Sequence, residues 1–131
     1  MRSARQALVV VALLAWTAPP VHAAPAAPVP AAVRAPGIGF RSRARLDEHF
    51  SKHGREFGAR SPGEYLALAQ RLRDCPADDG VLEGLRPDGV TVRYDRATGA
   101  FLAFEGDRTI RTFFKPRRGE EYFRRQMERG R

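Results

Sequence analysis

His49 and His53 lie four residues apart in Leu46-Asp-Glu-His-Phe-Ser-Lys-His-Gly-Arg-Glu-Phe57, with Lys52 between them. On a helix, that spacing puts both imidazoles on one face. Imidazoles titrate near neutrality, so one ring can accept a proton while another donates one. Metal-free cleavage of a phosphodiester needs that pairing. A lysine beside a histidine lowers its pKa by like-charge repulsion and attracts phosphate. Two other readings fit the same spacing. The histidines could be two ligands of a metal, but a third ligand is then needed. Phe50 rather than Glu follows His49, so the H-E-x-x-H helix motif is absent. Or they could sit at the margin of helix–sheet packing, satisfied by hydrogen bonds.

A second group of chemical side chains falls in the C-terminal half. Arg93, Arg111 and Lys115 occupy strand-like positions, where charges ordinarily point to solvent. Their functional reading is a clamp on the scissile phosphate, since cations stabilise a pentacoordinate transition state. Thr112 could donate to the same phosphate, although threonine is also a common strand residue. Tyr65, Tyr94 and Tyr122 could stack on a base, with core packing the competing role. Ser51, Glu48 and Glu56 fit no nucleophile, carboxylate-pair or metal pattern. There is no Gly-rich phosphate loop, C-x-x-C or G-x-S-x-G, so neither a cofactor nor a resident metal is expected.

The elements that must carry these residues follow from periodicity. Leu46, His49, Phe50, His53 and Phe57 recur at helical spacing from about Arg43 to His53. Gly54 is then expected to end the helix with a positive φ. Ser61-Pro-Gly-Glu64 reads as N-cap, proline at the first helical position and capping-box glutamate. Tyr65, Leu68, Ala69 and Leu72 form the apolar face of this second helix, which ends before Pro76. The period then changes to two. A short strand around Val81-Leu82 precedes strands over 90–95, 101–104 and 109–114, and residues 121–125 form a fourth strand or a helical turn. Turns this short make antiparallel neighbours. The fold class is α+β, with N-terminal helices packed on one face of a small antiparallel meander of three to four strands.

The N-terminus reads differently. Arg2 and Arg5 precede the ten-residue apolar run Ala7–Trp16, and Val21-His-Ala-Ala24 offers a small-residue cleavage site. This is the pattern of a secretory signal peptide over 1–23, and the run is too short to span a membrane. Residues 24–39 are an Ala/Pro-rich linker, leaving one domain over 40–131. Cleavage would remove two of 23 Lys and Arg and none of 15 Asp and Glu, lowering the formal charge from +8 to +6. Such a charge favours an acidic partner, with nucleic acid, an anionic surface and an acidic glycan all eligible. Cys75 is the only cysteine, so the exported domain holds together by its core rather than by disulfides.

Taken in order, L-x-x-H-F-x-K-H-G-x-E-F, S-x-x-E-Y-L-x-x-A, V-R-Y-D-x-x-T-x-x-F, I-R-T-F-F-K-P and a final Y-F form an ordered set over Leu46–Gln126. The set resembles the C-terminal toxin domains of bacterial polymorphic and contact-dependent inhibition toxins, in the colicin D-like, barnase/RelE-type ribonuclease group. The resemblance implies a metal-independent endoribonuclease acting on RNA, often tRNA; the signal peptide adds export, and a monomer is expected. In that group the ribose 2′-hydroxyl attacks the adjacent phosphate and leaves a 2′,3′-cyclic phosphate. It also implies a cognate immunity protein and action in a target-cell cytoplasm.

Carried over by motif, His49 and His53 take the helix histidine positions, and Arg93 the first-strand basic position. Thr112 and Lys115 fall in I-x-T-x-x-K-P, and Tyr122 at the closing aromatic. His49 or His53 is then the general base, Arg93 and Lys115 bind phosphate, and Lys52, Arg111 and Tyr65 contact substrate. One departure is T-G-A-F, where the group has T-N-x-F; Gly99 keeps the turn and loses the side chain. The competing classes are a non-catalytic basic binding module and a metal-dependent nuclease.

Overall fold

The computed structural model describes residues 37–129. The predicted signal peptide and residues 24–36 of the predicted linker lie outside them. Within the described residues no helix is long and apolar enough to cross a membrane.

Helix α1 spans Arg43–His53, and Ser42 caps it by accepting from the Arg45 N–H at 3.2 Å. Gly54 does not end it with a positive φ, as the sequence suggested. Its φ is −56°, and the chain tightens into a 3-10 turn over Gly54–Phe57. The left-handed residue comes four positions later, at Gly58 with φ 65°. The extra turn carries Glu56 and Phe57 back toward the sheet. Helix α2 spans Pro62–Asp74 with the expected cap, the Ser61 hydroxyl accepting from the Glu64 N–H at 3.1 Å. The Glu64 carboxylate reaches one residue further back than a capping box requires, accepting from the Arg60 N–H at 2.8 Å.

Four strands follow: β1 Val81–Leu85, β2 Thr91–Asp95, β3 Ala100–Phe104 and β4 Ile110–Phe114. They form an antiparallel sheet in the order β1-β2-β3-β4, so the fold is α+β with a small meander. The turn between β2 and β3 places Gly99 at φ 75°, the conformation that its motif position demands. The ambiguous segment after β4 is a helix, α3, over Glu120–Glu128. The fourth strand is therefore β1, at the start of the sheet.

Alternation divides the sheet residues between two cores. Leu102, Phe104, Ile110 and Phe113 pack with Leu46, Tyr65, Ala69 and Leu72 from α1 and α2. Val90, Val92, Tyr94, Phe101 and Ala103 pack with Phe123 from α3. Helices thus cover both faces, where the order of elements had suggested one. α3 folds back because its Phe123 and Tyr122 need an apolar surface, and the second sheet face is the one α1 and α2 leave open.

β4 is an edge strand, and an exposed edge is a template for unwanted pairing. Here its outward backbone groups are used. The Ile110 N–H donates to Gly39 O at 2.9 Å. The Tyr65 hydroxyl donates to Phe113 O. The Lys115 N–H donates to the Glu56 carboxylate at 2.7 Å. Ile38 is also tied down, its carbonyl accepting from Gln70 Nε2 at 2.9 Å. Residues 38 and 39 thus help to seal this edge.

Candidate active site

The guarded edge of β4 is where the predicted histidines lie. Helical spacing brings the His49 and His53 rings to 6.3 Å between centroids, inclined by 30°. His49 stacks on Phe40 at 5.0 Å, and His53 meets Phe114 at 5.4 Å. Phe114 in turn takes the edge of Tyr122 at 5.4 Å. Five rings therefore run in series from Phe40 to Tyr122 across the end of the sheet. Tyr122 enters the site through Phe114, which its packing on Phe101 at 5.0 Å holds in place.

His53 has the more defined surroundings. Its Nδ1 lies 2.9 Å from a Glu56 carboxylate oxygen, and its side chain is 27% exposed. The other oxygen of Glu56 accepts the Lys115 N–H. One carboxylate thus links the His53 ring to the backbone amide of Lys115 just past β4. The Lys115 ammonium lies 5.3 Å from the Phe57 ring centre, a cation–π distance. Glu56 fits no catalytic pattern in the sequence on its own. Its signal is the H-x-x-E spacing from His53, which puts the two side chains on one face of the turn.

His49 is half-buried, and its Nδ1 is enclosed without a hydrogen-bond partner. Burial pushes its pKa below the ordinary 6.5; the neighbouring His53, Lys52 and Arg45 charges push the same way, while Glu48 opposes them. The unfolded chain therefore binds a proton here that the folded protein resists. Stability from this group is complete above about 6.5 and is lost as pH falls through the lowered folded value. We expect the Tm of the wild type to fall on acidification below 6.5, and this component to vanish in His49→Gln. An identical pH dependence in both proteins would refute the assignment.

The other predicted residues separate. Thr112 is half-buried opposite Ala103 on the β4 edge strand, on the same sheet face as Phe114. Lys52 is exposed and paired with Glu48 at 2.7 Å. Arg111 is the extra residue of a β-bulge, since Ala103 pairs with Thr112 and Phe104 with Ile110. It bonds Glu105 at 3.0 Å and shares a cavity wall with His49.

Two expectations need correction. Tyr65 is fully buried, with its ring among Phe50, Phe57 and Phe113, and cannot stack on a substrate base. Burial raises its pKa far above the usual phenol value, so it stays a neutral donor to Phe113 O. Arg93 is only 7% exposed and cannot clamp a phosphate. Its guanidinium bonds Glu83 at 2.6 Å and caps α2 through the carbonyls of Leu72, at 2.9 Å, and Cys75. The alternation that places Arg93 opposite Leu102 turns it toward α2.

Among the described residues, no group of three or more His, Cys, Asp and Glu could hold a metal ion. No family model matches the chain, and a search of curated proteins finds no match.

Proposed function

We propose that this protein is a metal-independent endoribonuclease of the exported toxin type, with tRNA its expected substrate and an immunity protein its expected partner. The observation that carries this reading is the 2.9 Å His53–Glu56 pair beside the His49 ring, with the backbone amide of Lys115 on the second oxygen of the same carboxylate.

Each group has a role in that chemistry. Glu56 accepts from Nδ1–H of His53, which leaves Nε2 as the basic nitrogen. Nε2 takes the proton of a ribose 2′-hydroxyl, and the carboxylate balances the imidazolium that forms. The 2′-oxygen attacks the adjacent phosphorus, and the 5′-oxygen departs to leave a 2′,3′-cyclic phosphate. His49 stays neutral. An N–H at its enclosed Nδ1 would lack an acceptor, so the hydrogen resides on Nε2, where it can be donated to a phosphate oxygen. Lys115 adds positive charge to the transition state and a proton donor for the departing oxygen.

The test is incubation of the purified protein with total RNA in EDTA. Discrete fragments ending in 2′,3′-cyclic phosphate are expected. Cleavage only after a divalent metal is added would replace this reading with a metal-dependent nuclease. Intact RNA under both conditions, from demonstrably folded protein, would leave a non-catalytic binding module.

A further inference from the structure

Beside His49, on the side away from His53, lies a cavity of about 230 Å³. Its lining includes Arg41, Arg45, His49, Glu105, Thr109 and Arg111. Three arginines therefore line one small space with a single carboxylate, beside Phe40 and Ile110. Three separate features of the fold bring them there. The parallel bridge between Phe40 and Ile110 carries Arg41 alongside β4. Arg45 projects from the first turn of α1. Arg111 is the extra residue of the bulge on β4 and lines the cavity with them.

The positive charge is only partly compensated within the protein, by Glu48 on Arg45 and by Glu105 and Asp88 on Arg111. The first turn of α1 contains no acidic residue. Arg41, Arg43 and Arg45 instead crowd the positive end of the helix dipole, the opposite of the stabilising arrangement. Arg45 spends part of its charge on Glu48 at 2.9 Å, and Arg111 on Glu105 at 3.0 Å, while both stay more than 45% exposed. They are positioned by those carboxylates and remain open to a further ligand. The size of the cavity narrows the ligand. Pockets for drug-sized molecules begin at about 300 Å³ and are largely apolar. This space is smaller and lined by three arginines, whose guanidinium groups match the oxygens of a phosphate.

We propose that this cavity is a phosphate-binding subsite, filled by a backbone phosphate next to the scissile one. The phosphate class stands on the cavity alone; its place on an RNA strand rests on the ribonuclease reading. His49 forms the shared wall between the two positions, so an RNA strand crossing the β4 edge would set one phosphate at His53 and the neighbouring one among the arginines.

The probe is inorganic phosphate, followed by NMR on the whole protein through the arginine Nε–H and histidine ring signals. Phosphate is expected to shift Arg111 and His49, and Arg41→Gln with Arg45→Gln is expected to weaken that binding about tenfold. Both residues are exposed, so the double variant keeps the fold. Lys115→Gln separates the two positions. If it abolishes the phosphate response while the arginine variant retains it, phosphate binds at the histidine pair and the proposal is overturned. A response equal in wild type and arginine variant overturns it too. If phosphate binds as expected but RNA stays intact in EDTA, the subsite stands as an anion site and the ribonuclease reading falls.

Discussion

His53→Ala is expected to lower the rate of RNA cleavage by about 10²- to 10⁴-fold, the range for loss of a positioned general base. The fall should be in kcat rather than KM, because the ring acts on the proton being transferred and not on ground-state affinity. The fold should survive, since the side chain is 27% exposed. Glu56→Gln gives the sharper result. The amide has one acceptor oxygen where the carboxylate uses two, so it can accept from His53 or from the Lys115 N–H but not from both, and it brings no charge to balance an imidazolium. It can also flip and present its NH₂ group, forcing the ring into the wrong tautomer. A loss of about 10²-fold or more is therefore expected for Glu56→Gln. If the two residues act as one unit, the double variant should be no worse than His53→Ala alone. Losses that multiply would mean that Glu56 acts independently of His53, and the dyad would have to be given up.

The second large effect is on stability, at a residue first read as catalytic. Removing one partner from a buried ion pair costs about 3–5 kcal/mol, because the other groups are left without compensation. Arg93→Ala strands the α2 carbonyls of Leu72 and Cys75. It also removes the partner of Glu83, which is 40% exposed and can rehydrate. A loss at the lower end, about 3 kcal/mol, is therefore expected in urea unfolding. Arg93→Lys should recover only part of it. One ammonium keeps the charge but lacks the planar fork that serves Glu83 and the helix end together. A variant as stable as wild type that has lost RNA cleavage would return Arg93 to the substrate and overturn its structural role.

Arg93 also shows where reading along the chain runs out. Residues close in sequence were legible. Ser61, Pro62 and Glu64 announce the start of α2, the period-two run announces the strands, and a spacing of four puts His49 and His53 on one face. Each inference depends on backbone geometry within about one turn or one hairpin, which local sequence encodes directly. The α+β class follows from such signals in order.

Other features depend on which surfaces meet. Strand spacing could not say which face α1 and α2 would cover, so Arg93 and Arg111 looked equivalent. Contact with the end of α2 buried the first, and a bulge turned the second outward. Tyr65 lies on an apolar helix face, yet its hydroxyl finds its acceptor 48 residues away on β4. Glu56 fits no motif, and its link to Lys115 spans 59 residues. By itself, then, the sequence determined the elements, the meander and the facing pair of histidines. Only the tertiary structure decided which carboxylate partners His53, which arginines stay exposed and which of them line a cavity beside His49. The physical reason is that hydrogen-bond partners and burial are set by packing between elements distant along the chain. Periodicity carries the orientation of a side chain on its own element but not the identity of what it meets.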